Sequence, residues 1–468
     1  MLDGVGGIAN SIAAIVVVFG LCLLFHELGH FLLAKLFGMR VEEFALGFGK
    51  AIVSLRRGET KYRLNIFPYG AYVRVAGMEP GGPVVERGFH SRPRWQGALV
   101  LAGGSAANLL LAVALFAGVT YWTGLPDPTD DGIYVSRVTA GSPAEAGGIH
   151  TGDQILAVDG ASHSLQIESV AKGSPAEKAG LRAGDVLERA GGQEVYLPPD
   201  LLTVLRSAKS SQLDVAAVDY SIADLSKQQR IVSLRVPDGR LSAETGDAAE
   251  VLRSVIGVSF GPLTQSALVG YISSRPDRTV RLSLLRDGGR VELDILAETV
   301  NTRVGLRDDT GALYSRIRPA GRIGVVLRPA MRPAGLGEAV TVGFLRSVGS
   351  AAVVVESIRL MLRREVEAEL AGPVAIMAIS VEKAKVGWDA VLNWGGMVSA
   401  ILAVVNLFPV PPFDGFRLVL LGCEAVMRRR VYPKLEWALS IAGFVLVVVM
   451  FVMLTSKDLA NLVRYGTP

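Results

Sequence analysis

Residues 26–30 read His26-Glu27-Leu28-Gly29-His30, inside a run from Ile8 to Phe37 that is otherwise apolar. The run exceeds the roughly 20 residues needed to cross a hydrocarbon core. No Lys or Arg precedes it and no clear small-residue cleavage site follows, so it reads as a membrane span rather than a signal peptide. On a helix, positions four apart share a face. The imidazoles of His26 and His30 can therefore meet one metal ion, with Glu27 beside them. Ionisable residues within a span are costly and default to function. Three in one turn, with no basic partner on the span, require a metal or a cavity. The bland alternative is a pair of satisfied buried histidines. Zinc held by protein ligands, with a carboxylate that takes a proton from water, is the hydrolytic use of this spacing. Cys22, one turn before His26, reads as a small apolar packer. His90, His150 and His163 are isolated and read as surface residues.

The rest of the chain agrees with a membrane setting. Of 468 residues, 50% are hydrophobic and 20% charged, and the mean hydropathy is +0.38. Disordered, collagen-like and acidic-tail classes are excluded. A net charge of +4 from 48 basic and 44 acidic residues is too small an excess to argue for nucleic acid. The two cysteines, Cys22 and Cys423, lie in apolar stretches and form no disulfide framework. Further spans are expected at Gly97–Trp122, at Trp388–Val426 with prolines interrupting it, and at Leu435–Leu454. Lys and Arg crowd the loop between the first two spans (Arg40 to Arg94) and the loop between the last two (Arg428 to Lys434). Both loops are therefore expected inside, with both termini and the large central region outside. Glu338–Leu362 contains Arg346, Glu356 and Arg359 and reads as an amphipathic surface helix rather than a fifth span.

The central region carries an internal repeat. Gly141-Ser142-Pro143-Ala144-Glu145 returns as Gly173-Ser174-Pro175-Ala176-Glu177, and each is followed by a Gly-Asp pair, Gly152-Asp153 and Gly184-Asp185. The pattern is strand, Ser-capped short helix, turn, strand. It resembles the first half of a PDZ domain, twice. Second halves also come twice. The helix at Leu201–Arg206 precedes strands at Gln212–Tyr220 and Arg230–Val236. The helix at Leu263–Ile272 precedes strands at Thr279–Arg286 and Arg290–Leu296, with an Asp287-Gly288-Gly289 turn. The two opening repeats are too close to enclose a complete domain. One module inserted in the other is expected; a single module with a decayed extra repeat is the alternative. Such folds take a peptide or chain end by adding a strand to a sheet edge, or act as a steric cap.

A third metal ligand is sought in Asn406-Leu407-Phe408-Pro409-Val410-Pro411-Pro412-Phe413-Asp414-Gly415. Prolines break the helix there, and freed backbone is tolerated in a membrane where protein or water satisfies it. Asp414 is the best-placed carboxylate to complete a His, His, Asp zinc site; capping the following helix is its other role.

Together these motifs resemble the site-2 protease family of intramembrane zinc metalloproteases, of the bacterial regulator-of-sigma-E protease type. In that family an HExxH on the first span and an Asn-x-x-Pro-x-Pro-x-x-Asp-Gly on a later one build the zinc site. Here His26, Glu27, His30, Asn406, Pro409, Pro411, Asp414 and Gly415 fill every position. Gly372-Pro373-Val374 is similar to the family's Gly-Pro element. Ala102-Gly103-Gly104-Ser105-Ala106-Ala107-Asn108 is similar to the start of its second span, without the usual proline. The doubled PDZ half-pattern is the main departure.

The resemblance implies a polytopic α-helical membrane protein of about four transmembrane helices, with a membrane-associated β-element and an extracytoplasmic α+β PDZ-like region. The first span occupies 1–37, the cytoplasmic or re-entrant β-element 38–95 and the second span 96–124. Two PDZ-like modules, possibly nested, follow at 125–332, then the surface helix at 333–371. The Gly-Pro element and third span fill 372–430, and the fourth span and tail 431–468. One zinc ion per chain is implied, held by His26, His30 and Asp414, with Glu27 as the base. Asn406, Pro409, Pro411, Gly415 and Asn108 would bind substrate or support the site. The implied setting is a bacterial inner membrane, with the active site toward the cytoplasm. The implied substrates are single-span membrane proteins, such as anti-sigma factors or signal-peptide remnants, cut after a first protease has trimmed them. A catalytically silent scaffold, with the PDZ-like edge holding peptides, is the second reading; a metal transporter is the third. No nucleic-acid partner is expected.

Overall fold

The computed structural model describes residues 2–79, 82–207, 212–219, 228–235, 246–307, 313–363, 372–430 and 432–465. The chain forms two compact units, 1–125 with 333–468, and 126–332. In the first, helix α1 runs Leu2–Leu36. It stops where Gly38 turns left-handed (φ +66°) and Met39 N–H bonds back to the Ala34 carbonyl at 2.8 Å. An antiparallel hairpin follows, β1 at Val41–Arg57 and β2 at Thr60–Val75, turning at Gly58. Its root alternates buried and half-buried residues from Val41 to Gly47. Beyond that, Phe48, Ile52, Val53, Leu55, Ile66 and Phe67 are exposed. Helix α2, Arg94–Thr123, crosses α1 where Gly29 faces Gly103. A Cβ on Gly29 would lie 2.1 Å from the Gly103 carbonyl oxygen, so only glycine permits this approach.

The second unit contains two sheets, nested in sequence. The outer sheet has the order 313–322, 289–307, 278–286, 154–158, 133–138, 325–329. The inner sheet, in the order 228–235, 212–219, 185–190, 163–170, 258–262, is built from the chain between residues 158 and 278. Each has its own core: Leu187, Leu201 and Leu252 in the inner, Val280, Leu282 and Leu268 in the outer. The repeats open with two equivalent capped turns, α3 (Pro143–Ala146) and α4 (Pro175–Ala179). Ser142 and Ser174 accept from Glu145 and Glu177 N–H, and those glutamates accept from Gly141 and Gly173 N–H at 2.6 Å.

The Gly-Asp aspartates then join each first half to its second half. Asp153 accepts from His150 N–H and from Arg286 on strand 278–286 (2.7 and 2.6 Å). Asp185 accepts from Arg182 N–H and from Arg230 on strand 228–235 (2.6 and 2.8 Å). The inner module closes with α5 (Pro198–Ser207) and α6 (Ala248–Ile256), the outer with α7 (Gln265–Ser273). Helix α6 and the long paired arm of 289–307 and 313–322 are additions to the elements expected from the sequence. Tyr220 and Val236, expected as strand ends, lie outside the described residues.

Asp153 is 2% exposed. Burial raises its pKa, but Arg286 and the His150 N–H outweigh burial and hold it below the usual carboxylate range. A depressed carboxylate stabilises the fold above its unfolded pKa of about 3.9 and loses that contribution as pH falls through its lower folded value. Amide exchange protection in the outer sheet is therefore expected to weaken below about pH 4. Arg286→Met should cost this module about 3 kcal/mol at neutral pH. Protection unchanged by the substitution would show the pair to be energetically idle.

The chain re-enters the first unit with α8, Leu336–Leu362, whose Glu338 accepts from Gly335 N–H. Then come α9 (Pro373–Val386), α10 (Trp388–Val405), α11 (Asp414–Met427) and α12 (Pro433–Tyr465). Among the described residues five helices are long and apolar enough to cross a membrane, against four expected. The extra one is α8, and its expected continuation at 364–371 lies outside the described residues. Gly343 meets Val113 and Ala117 of α2 closely, and Ser347 is fully buried, so α8 packs against α2.

Gly82, shortly before α2, accepts from Arg430, just before α12, at 3.2 Å. At the other end of α12, Asp458 accepts from Gly372 and Ala375 N–H (3.3 and 3.0 Å). The start of α9 thus lies at the end where α12 finishes.

Candidate metal centre

Helices α1, α2, α10 and α11 meet around His26 and His30, both buried. Helical spacing brings His26 Nε2 to 3.2 Å from His30 Nε2. Asp414, the first residue of α11, places Oδ2 3.2 Å from each nitrogen. The three atoms form a near-equilateral triangle. His30 Nδ1 lies 2.7 Å from the Val100 carbonyl. A carbonyl only accepts, so Nδ1 carries the proton and a neutral His30 presents a bare Nε2 to the triangle. His26 Nδ1 lies 3.4 Å from the Asn406 side-chain amide. The atom facing Nδ1 is Asn406 Nδ2; turning the amide over puts Oδ1 there, and only then does Nδ1 donate and leave Nε2 a bare lone pair.

This donor set fits zinc. Ligand atoms about 2.1 Å from a tetrahedral ion stand about 3.4 Å apart, close to the spacing here. Two imidazoles and a carboxylate also leave one coordination position open, the pattern of hydrolytic rather than structural sites.

The surrounding residues explain why the triangle holds. Gly104 on α2 lies against the imidazoles: a Cβ there would sit 2.6 Å from both His26 Cε1 and His30 Nε2. The turn from Asn406 to Phe413 is closed by Gly415 N–H donating to the Asn406 carbonyl at 2.8 Å. A Cβ on Gly415 would fall 2.0 Å from the Leu407 carbonyl oxygen, so the residue after Asp414 must be glycine. Pro411 is crossed closely by Gly443 of α12, and Pro409 lies in the same turn. Glu27 points beside the triangle, its Oε2 accepting from Val73 N–H of β2 at 3.0 Å.

Asn108, one turn beyond Gly104, is fully buried, and its carbonyl accepts from Ser399 of α10 at 2.8 Å. Its side-chain amide has no hydrogen-bond partner among the described residues. Cys22 is buried, with Sγ 3.8 Å from the Gly395 carbonyl, and stands outside the triangle. Of the other histidines, His150 is exposed, but His90 and His163 are half-buried rather than on the surface. His90 packs on Phe89, and burial, with the Arg430 and Arg417 guanidiniums, pushes its pKa down to about 4. Gly104, Val73 and Val100 act through backbone or through lack of a side chain. The run of small residues from Ala102 to Ala107 was the one available signal for them.

Two imidazoles, a carboxylate and a neighbouring glutamate inside a bundle of apolar helices are the side chains a membrane metallohydrolase requires. The chain belongs to peptidase family M50, the site-2 protease family, whose description matches residues 14–450. A putative zinc metalloprotease of Thermotoga maritima is 26% identical over 94% of this chain and 97% of its own length. Zinc metalloprotease RasP of Geobacillus kaustophilus is 25% identical over 96% of this chain and 98% of its own length. The probable membrane metalloprotease ARASP2, chloroplastic, of Arabidopsis thaliana is 26% identical over 93% and 77% respectively. The protein is a membrane zinc metalloprotease, and zinc is its cofactor.

Proposed function

We propose that this protease cuts peptide bonds within or beside the membrane segment of single-span proteins. The observation that carries the reading is the His26, His30, Asp414 triangle with Glu27 beside it, built on helices apolar enough to lie in a bilayer. His26, His30 and Asp414 hold one zinc ion. Bound there, zinc supplies Lewis acidity, which lowers the pKa of water and polarises a carbonyl oxygen. Val73 N–H fixes Glu27 Oε2, leaving Oε1 to take a proton from the attacking water. Glu27 then delivers that proton to the departing amide nitrogen. Asn406, with its amide turned to offer Oδ1, holds His26 in its ligating tautomer. Pro409, Pro411 and Gly415 shape the turn that presents Asp414.

A helical substrate hides its scissile bonds, so it must be extended first. The hairpin, with exposed Phe48, Ile66 and Phe67, supplies strand backbone and an apolar surface beside Glu27. The Gly82–Arg430 contact and the Lys and Arg of both loops support four crossings, with these loops and the site's open side on the cytoplasmic face.

The purified protein is expected to cleave a model single-span substrate, to lose that activity on treatment with a chelator, and to regain it with zinc. Cleavage that survives complete zinc removal would sink the proposal. A zinc-loaded protein inert toward such substrates would favour the scaffold reading.

A further inference from the structure

The segment 73–78, which leaves the hairpin, touches both halves of the site. At its start Val73 N–H holds Glu27. Five residues on, the Met78 carbonyl accepts a hydrogen bond from Arg417 Nη2. Arg417 lies less than one turn beyond Asp414 on α11. Between helix and segment, Leu418 and Leu421 pack with Val75 and Phe89. Apolar packing of this kind is non-directional and sets a helix's position better than its rotation. Rotation matters here. A side-chain oxygen about 5 Å from a helix axis moves about 1 Å for every 10° of turn, whereas a zinc ligand must be placed to within about 0.2 Å.

Arg417 can fix the rotation because it is directional. Its guanidinium carries donors in a rigid fork, and one is spent on a backbone carbonyl rather than on a mobile side chain. Burial works against its charge, and the Glu436, Asp414 and Glu79 carboxylates work in its favour.

We propose that Arg417 is a positioning residue for the metal centre: it registers α11 against segment 73–78, so that one stretch of chain sets both the third ligand and the base. The inference rests on the reading of Asp414 as a zinc ligand.

The experiment uses the zinc-loaded, full-length protein in detergent. Zinc release into a chromogenic chelator is followed alongside kcat, KM and folded fraction for wild type, Arg417→Met, Arg417→Lys and Asp414→Ala. Arg417→Met should release zinc at least tenfold faster and lose about tenfold in kcat, with KM within about twofold. Arg417→Lys, which keeps the charge but not the fork, should fall between it and wild type. Should Arg417→Met fail to fold, Arg417→Lys decides: wild-type zinc release from it overturns the inference. So does a result in which Arg417 variants change only the folded fraction while the folded protein releases zinc normally. Asp414→Ala separates the two layers. Zinc retained in that variant as in wild type refutes the ligand reading itself; zinc lost there but held normally by both Arg417 variants refutes only the positioning role.

Discussion

Glu27→Gln should bind zinc as wild type does and lose cleavage by about a thousandfold or more. The amide oxygen can still accept from Val73 N–H, so the side chain keeps its place beside the triangle. None of the three proposed ligand atoms is altered. What disappears is the ability to take a proton from water and return it to the leaving nitrogen, a contribution of about 10²–10⁴ in comparable sites. The measurement is kcat on a single-span substrate together with zinc content per chain. Retention of more than about a tenth of the wild-type rate would remove Glu27 from the mechanism. Loss of zinc would instead make it part of the ligand set.

The second large effect is expected at a residue with no side chain. Gly104→Ala adds one methyl group at a point 2.6 Å from His26 Cε1 and His30 Nε2, and 2.7 Å from His26 Nδ1. Both imidazoles must turn or α2 must back away. Supporting residues around a metal typically change affinity 10–100-fold, and a displacement of about 1 Å at a reacting centre can cost about 10²-fold in rate. Gly104→Ala is therefore expected to weaken zinc binding at least tenfold and cleavage at least a hundredfold. Gly118→Ala, on the same helix, has open space around its added methyl and should match wild type in both. Equal behaviour of the two variants would mean that α2 adjusts freely around the site.

The contrast between these two positions also marks what a reader of the sequence can reach. His26 and His30 are four apart, and helix geometry alone puts them on one face; their Nε2 atoms are 3.2 Å apart. Glu27 follows by adjacency. Asp414 is a different matter: nothing local connects it to His26, and it was singled out because the chemistry lacked a ligand and a proline-broken span offered one. Gly104 carries no chemistry of its own. Its role exists only where α1 meets α2, and a close approach between helices is a tertiary fact.

The central region divides in the same way. The short spacing of the two Gly-Ser-Pro-Ala-Glu repeats already excluded a complete domain between them. Which closing strands belong to which opening was less legible, because each half-pattern is generic. The pairing is written in Asp153 with Arg286 and Asp185 with Arg230, partners 133 and 45 residues apart. Helix α8 is a further case. Its charges, Arg346, Glu356 and Arg359, were visible in sequence, but the small face of Gly343 and Ser347 acquires meaning only against α2.

The halves of the metal triangle stand far apart along the chain. His26 and the Asn406 that supports it are separated by 380 residues, and the whole of the second unit is made between them. A ribosome therefore delivers the two imidazoles and the base first, then an entire folded insert, and only afterwards the carboxylate that completes the set. The order of synthesis therefore leaves the triangle incomplete until the second unit has been made.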